Sequence, residues 1–319
     1  PAGNEGAHVK QEMSPEDVEK LCAASKERIS YLILTGGEPF VRDDLDRIVI
    51  PFHRKLGTRF LTIVSNGSFP QRTHDVLEKI LISCPGLRVN IAFTVSDIGP
   101  LHDRTRGLPG SYEKMVESRQ KIQRLRELFP NLFFTIATQL GDDNVQRSAA
   151  IIERVKTEFS PDEHFVTLLR DAPKRITPVS NAVTYLPQLV ASVAGAYPSG
   201  KNLFQAFYNQ IVQKSILEMG RIRQGQADYR PCAAGRKFAT LYENGNLFPC
   251  ENRQDLKLGN VRQAGFDLGS LLKSANGRKA CDAQLKERCR CDWGPAISQN
   301  LMADPRFLAG CLWGAMSRL

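Results

Sequence analysis

Between residues 31 and 169 short apolar runs alternate with longer amphipathic stretches, and this alternation limits the fold more than any other feature of the chain. The runs 31–34, 60–64, 89–95, 132–138 and 164–169 are rich in β-branched and aromatic residues and read as buried strands. Between them, 44–56, 70–83, 111–128 and 144–159 carry helical spacing. Such repetition builds βαβ units and a parallel sheet, closed or half closed as a barrel. Ahead of it, Ser14-Pro15-Glu16-Asp17 supplies an N-cap serine, a proline at the first helical position and acids in the first turn. Val18, Leu21, Cys22 and Ala24 begin the apolar face of that helix, and Cys22 reads as a core residue on it. Cys84, between a helix end and Pro85-Gly86, reads as structural.

In folds of this kind ligands bind beyond the carboxyl ends of the strands. The first strand ends in Thr35-Gly36-Gly37-Glu38-Pro39, where adjacent glycines leave bare backbone and Glu38 adds a carboxylate. Ser65-Asn66-Gly67 follows the second strand. Thr94-Val95-Ser96-Asp97 follows the third and leads into His102-Asp103, Arg106-Gly107 and Gly110-Ser111. Thr138 ends the fourth strand and Arg170 the fifth, where an arginine suits a carboxylate or phosphate. Each has a plainer reading: Asn66-Gly67 as a turn, His102 as a loop histidine, Arg170 as the partner of Asp171. Their common place after successive strands makes them candidates.

Two helical patterns, 181–197 and 202–224, break the alternation; they are joined by Pro198-Ser199-Gly200 and carry only core spacing. Of eight cysteines, six crowd into the stretch from Cys232 to Cys311. Cys232 and Cys250 flank two expected strands, 238–242 and 246–248, joined by the hairpin signal Glu243-Asn244-Gly245. The spacing is C-x12-G-x4-C, followed by Leu258-Gly259-Asn260, a helical stretch to 279, and Cys281, Cys289, Cys291 and Trp293. Cys311, among Leu and Trp, reads as packed. Thiolate-rich sites favour iron–sulfur or zinc; a zinc ribbon is the alternative, although the C-x2-C knuckle of ribbons is absent here.

A chain of 319 residues suggests about two domains, and 42% apolar with 24% charged residues is ordinary globular composition. No apolar run approaches the roughly 18 residues of a membrane span. The net charge of +9 comes from scattered basic residues, which argues against a nucleic-acid partner and at most for an anionic substrate. Cysteines this unevenly placed in a long, lysine-rich chain without an export signal suggest metal or cluster ligation in a reducing cytoplasm.

The strand ending in Gly36-Gly37-Glu38-Pro39 resembles the GGEP motif of the radical S-adenosylmethionine (radical SAM) superfamily. The block from Thr94 to Ser111 resembles that superfamily's S-[L/I]-D-G…H-D…R-G…G-[S/N]-[F/Y] segment, with Thr94 in place of serine and Ser96 in place of aspartate. The cysteine tail resembles the SPASM/twitch auxiliary domain, although Gly294-Pro295 stand where relatives continue with Glu-Cys. The resemblance implies an α/β fold: a partial (β/α) TIM-like barrel over 1–175, its first strand missing, a helical linker over 176–228 and a small cysteine-rich α+β auxiliary domain over 229–319. It implies that Gly36, Gly37 and Glu38 hold the amino group of S-adenosylmethionine, with Ser65, Asn66, Thr94, Ser96, Thr138 and Arg170 as candidates for its other ends. It implies one auxiliary 4Fe-4S cluster on Cys232, Cys250, Cys289 and Cys291, with Cys281 in reserve. An electron donor such as a flavodoxin or ferredoxin would serve it, and the substrate is left open.

The superfamily's C-x3-C-x2-C segment, which holds the SAM-cleaving 4Fe-4S cluster, is not in this sequence. It would fall just upstream of Pro1, and the chain begins without methionine. The expectation is a truncated enzyme, inactive as this fragment alone. The alternative is a degenerate, non-enzymatic scaffold binding zinc or a cluster.

Overall fold

The computed structural model describes residues 12–169, 182–196, 203–227, 230–288 and 291–317. Five strands, β1 (Tyr31–Leu34), β2 (Phe60–Ser65), β3 (Arg88–Val95), β4 (Leu132–Leu140) and β5 (Glu163–Leu168), form one parallel sheet in chain order. Helices α1 (Pro15–Ala24), α2 (Leu45–Leu56), α3 (Pro70–Ser83), α4 (Pro100–Arg106), α5 (Ser111–Leu128) and α6 (Ser148–Arg154) precede or connect them. Tyr31 and Glu163, on strands at opposite edges of the sheet, lie within electrostatic reach of each other, so the sheet is strongly curled. The fold is α/β with a partial barrel, as the alternation implies.

Side chains alternate across the sheet. On the outer face Leu61, Ile63, Ile91, Phe93, Phe134 and Ile136 pack with Val76, Leu77, Ile80, Met115 and Ile122 of α3 and α5. The inner face carries a polar row with one residue per strand: Tyr31, Thr62, Asn90, Thr135 and Glu163. Tyr31 Oη lies 2.9 Å from Thr62 Oγ1, and Thr135 Oγ1 donates to Asn90 Oδ1 at 2.8 Å. Burial, with Asp162 adding to it, pushes the Glu163 carboxyl from 4.5 to about 8. A carboxyl raised in the folded state loses stability as pH climbs from its unfolded to its folded value. Thermal scans from pH 4.5 to 8 are therefore expected to show a steeper fall in the wild-type midpoint than in Glu163→Gln.

Three departures from the sequence expectation have local causes. β4 runs on to Leu140 instead of stopping at Thr138. The helix expected over 144–159 is a 3-10 turn (Val145–Arg147), then α6, then a π segment (Val155–Phe159). Its first residue, Asn144, does not act as an N-cap, because its amide donates to Gln139 O and Ser96 O while its carbonyl receives Gly141 N–H. The strand expected over 238–242 shrinks to β6 (Thr240–Leu241), because Phe238 turns toward the preceding loop and its carbonyl receives Gly235 N–H at 2.7 Å.

Helix α7 (Ala182–Ala196) packs Val183, Leu186 and Val190 against Val166 and Leu168 of β5, and α8 (Leu203–Arg223) also lies against β5, with Thr167 Oγ1 3.9 Å from Met219 Sδ. The C-terminal unit is an antiparallel sheet of β6, β7 (Asn246–Phe248) and β8 (Gly259–Asn260), followed by α9 (Leu268–Leu272), α10 (Ala275–Lys286), α11 (Gly294–Met302) and α12 (Pro305–Met316). The helical stretch expected to end at 279 restarts at the N-cap Ser274 and reaches Lys286, which places Cys281 on a helix. This unit shares a core with the start of the chain: Val18, Leu21 and Cys22 of α1 cluster with Leu247, Leu258, Val261 and Leu268. Asp17 pairs with Arg262 at 2.9 Å, and Ser25 Oγ accepts Leu268 N–H at 3.1 Å. Among the described residues no helix is long and apolar enough to cross a membrane.

Candidate functional site

The carboxyl ends of β1 and β2 meet around Glu38. Gly36 has φ +140 and a Cβ on Gly36 or Gly37 would touch nothing within 4 Å, so this backbone faces open space. Glu38 Oε1 accepts from Phe40 N at 3.1 Å and from Ser65 Oγ at 2.9 Å, and Oε2 accepts from Asn66 N at 2.7 Å. Burial pushes the carboxyl above its ordinary range, and these three donors pull it back toward ionisation. Ser65 and the Asn66 backbone thus hold Glu38 in place. The Asn66 side chain closes its own turn by accepting Ser68 N–H at 2.8 Å. Gly67, at φ +74, passes so near Met115 that a Cβ would lie 2.8–3.1 Å from its atoms.

After β3, Thr94 presents its carbonyl to Arg106 Nη2 at 3.0 Å. Ser96 is buried; its N–H donates to His102 Nδ1 at 3.3 Å, and its carbonyl receives the Asn144 amide. Burial, and Arg106 nearby, push His102 down to about 4, so the ring is a neutral acceptor supporting the loop. Asp103 accepts from Gly110 N, Ser111 Oγ and Tyr112 N at 2.7–2.8 Å and so caps α5 in place of its N-cap glycine. The H-D…G-S-Y block is therefore an internal brace for this end of the sheet. Asp103→Ala is expected to lower the thermal midpoint, and Asp103→Asn, which keeps an acceptor, to restore part of it.

Thr138 does not face this opening. The strand alternation turns it to the outer side, where its hydroxyl meets His164 Nε2 at 2.8 Å, both residues being buried. Burial pushes His164 down to about 3, which leaves the ring neutral. Arg170 lies outside the described residues.

Three residues at this end have roles that the sequence did not assign. Arg106 has a buried Nε with no hydrogen-bond partner and, among the described residues, no carboxylate pairs with its guanidinium; burial pushes its pKa down. Its signal was its place four residues after His102 on one short helix, one turn along the same face. Asp97, buried after β3, accepts Ile98 N–H and pairs with Arg147, 50 residues away, at 3.1 Å to Nε. No spacing in the sequence announces that long-range pair.

The second cluster of chemical groups is in the C-terminal unit. Cys232 and Cys250 are buried in one pocket with Ala234, Phe238 and Trp293. Cys250 lies within electrostatic reach of Cys291 and Cys232, and Cys281 within reach of Cys232. Burial pushes the Cys250 thiol up to about 11. Gly235 has φ +77, and a Cβ there would lie 2.9 Å from Cys281 Sγ, so the glycine leaves the space that this thiol occupies. Cys22, Cys84 and Cys311 are buried in other places. Cys289 lies outside the described residues, and among the described residues no three His, Cys, Asp or Glu side chains group as a metal site. The thiol donor set and the glycine cradle at Cys281 fit a thiolate-held group.

No family model matches the chain. It is 38% identical over 84 residues to the probable GTP 3',8-cyclase of Methanothermobacter marburgensis, a match covering 26% of each chain. It is 23% identical over 243 residues to the AdoMet-dependent heme synthase of Methanosarcina barkeri, covering 74% of this chain and 66% of that protein. It thus spans about a quarter of the length of the first relative and less than two thirds of the second. The solved structure of native anSMEcpe with AdoMet and a peptide bound superposes with a TM-score of 0.55 at 11% identity, covering 95% of this chain and 87% of that one. With the curled parallel sheet and the glycine loop and glutamate at its strand ends, these similarities support a place for the chain in the radical SAM superfamily.

Proposed function

We propose that the opening around Glu38 binds S-adenosylmethionine for radical chemistry on a substrate held inside the curled sheet. The observation that carries this reading is an open, acceptor-rich loop after β1 together with, at the end of β3, a guanidinium that no carboxylate pairs among the described residues. Gly36, Gly37 and the remaining acceptor capacity of Glu38 suit an ammonium. Arg106 suits the carboxylate at the other end of the same amino acid. Ser65, Asn66 and Ser96 act through the groups that they position, and Thr94 holds Arg106 through its carbonyl. The polar row of Thr62, Asn90, Thr135 and Glu163 would meet the substrate, and the strands that carry it would form the wall that limits water there.

Cys232, Cys250 and Cys291, with Cys281 or Cys289, would hold an auxiliary 4Fe-4S cluster in a SPASM/twitch-like unit. When bound, such a cluster accepts or passes one electron. The chain offers no C-x3-C-x2-C ligands for a SAM-cleaving cluster. That activity, with a flavodoxin or ferredoxin as reductant in a reducing cytoplasm, is proposed for a protein in which such ligands accompany this chain. The two relatives differ in the reactions their names give, so the substrate is not carried over from either.

Isothermal titration of S-adenosylmethionine into the anaerobically reconstituted protein tests the reading. Glu38→Ala and Arg106→Met are each expected to weaken binding about tenfold or more, the loss of one charge-assisted contact. A heat-silent titration of folded, iron-loaded protein would overturn the enzyme reading in favour of the scaffold. Unchanged affinity in Arg106→Met would remove the carboxylate role alone.

A further inference from the structure

Arg223 ends helix α8, and both its side chain and that of Asp292 are wholly buried. Nε donates to Asp292 Oδ2 at 2.8 Å, and Nη2 donates to the Leu169 carbonyl at 3.1 Å. Leu169 directly follows β5, and its own N–H is bound to Leu140 O at the end of β4. Asp292 stands between Cys291 and Trp293. Trp293 packs on the Cys232–Cys250 pocket, with its ring 5.9 Å from that of Phe238, and it is the N-cap residue of α11. One guanidinium therefore joins the strand ends of the barrel to the segment that carries a candidate cysteine ligand.

Packing alone gives little reason for an ion pair here, since apolar residues of similar volume replace buried pairs with little or no loss of stability. A planar guanidinium adds direction: it engages a fixed backbone carbonyl and a carboxylate at the same time. We propose that the Arg223–Asp292 pair is a positioning device that fixes Cys291 relative to the carboxyl end of β5, so that the cysteine site and the strand ends are held in register. The proposal rests on reading Cys291 as a cluster ligand. Residues that orient ligands from behind have large effects on metal affinity, about 10–100-fold on loss.

The test uses the double variant Arg223→Met/Asp292→Leu in the 319-residue chain, checked for folding by circular dichroism. In the metal-free chain, alkylation of Cys291 by iodoacetamide, followed by mass spectrometry, is expected to speed up about tenfold through local release, while the similarly half-buried Cys281 changes by less than about twofold. After anaerobic reconstitution the variant should retain less than about half of the wild-type iron. Equal rates at Cys291 and unchanged iron in a folded double variant would overturn the proposal. Should the double variant not fold, Arg223→Lys is measured instead, since lysine keeps the charge but not the fork. Selective exposure of Cys291 then supports the proposal, and an equal rise at Cys281 and Cys291 overturns it. If the wild-type chain takes up no iron yet Cys291 is still selectively released, the cluster reading fails and the positioning role stands.

Discussion

Gly67→Ala is expected to be among the most damaging single changes in the chain. Two costs coincide there. The backbone at φ +74 is one that an alanine adopts only with strain of about 1–3 kcal/mol. The new methyl would also sit 2.8–3.1 Å from Met115, including its backbone Cα, and overpacking of this kind costs about 1–3 kcal/mol more. Ser118 Oγ donates to the Gly67 carbonyl at 2.7 Å, so the loop cannot slide away freely. Together the costs predict a thermal midpoint lower by roughly 5–15 °C. Gly107→Ala is the control, because Gly107 also has positive φ (+64) but faces open space. It should show the strain without the clash. The functional consequence is separate: moving Gly67 shifts the Asn66 N–H from Glu38, so the proposed S-adenosylmethionine affinity should fall beyond the effect of destabilisation. Equal midpoints for the two glycine variants would refute the close-packing account.

Anaerobic reconstitution of the chain is expected to incorporate about four irons. Cys232→Ala or Cys250→Ala should abolish most of that uptake and destabilise the C-terminal unit, because ligation free energy is folding free energy in small metal modules. The two residues share one buried pocket, and Cys250 is too strongly shifted toward the neutral thiol to ionise readily without a metal. Cys22→Ala, Cys84→Ala and Cys311→Ala should leave iron content nearly unchanged, since those thiols belong to other parts of the core. Cys281→Ala tests whether the space left by Gly235 serves a ligand or only a packed side chain. One tightly held zinc per chain, with no iron after reconstitution, would defeat the auxiliary-cluster reading and leave the strand-end site untouched.

The strands and helices of the barrel were legible because each apolar run and each helical stretch has its own period, and α3 and α5 have the bounds that their patterns predicted. What a residue faces was less legible. Thr138 was read as a strand end facing the opening, but β4 runs on two residues and its alternation places this hydroxyl on the outer face, against His164. Glu38 was found from its loop, but two of its three donors, Ser65 and Asn66, come from the end of β2, and only the fold brings them to it. Arg106 was visible as part of a block, whereas its unpaired Nε is a fact of burial. Asp97 with Arg147 and Asp292 with Arg223 are contacts between residues 50 and 69 positions apart, which no local pattern encodes.

The core shared by α1 and the C-terminal hairpin has a consequence for how the chain is made. Contacts of Asp17 with Arg262, Ser25 with Leu268 and Glu27 with Lys273 close loops of 243–246 residues. At a synthesis rate of about 5–20 residues per second, α1 waits roughly 10–50 s on the ribosome before its final neighbours exist. During that interval Val18, Leu21 and Cys22 have only part of their burial, supplied by α2. Closing such long loops is entropically costly and slow. The final step of folding is thus the docking of the last quarter of the chain onto its first helix, and a nascent chain halted before Arg262 should hold α1 as its least protected helix.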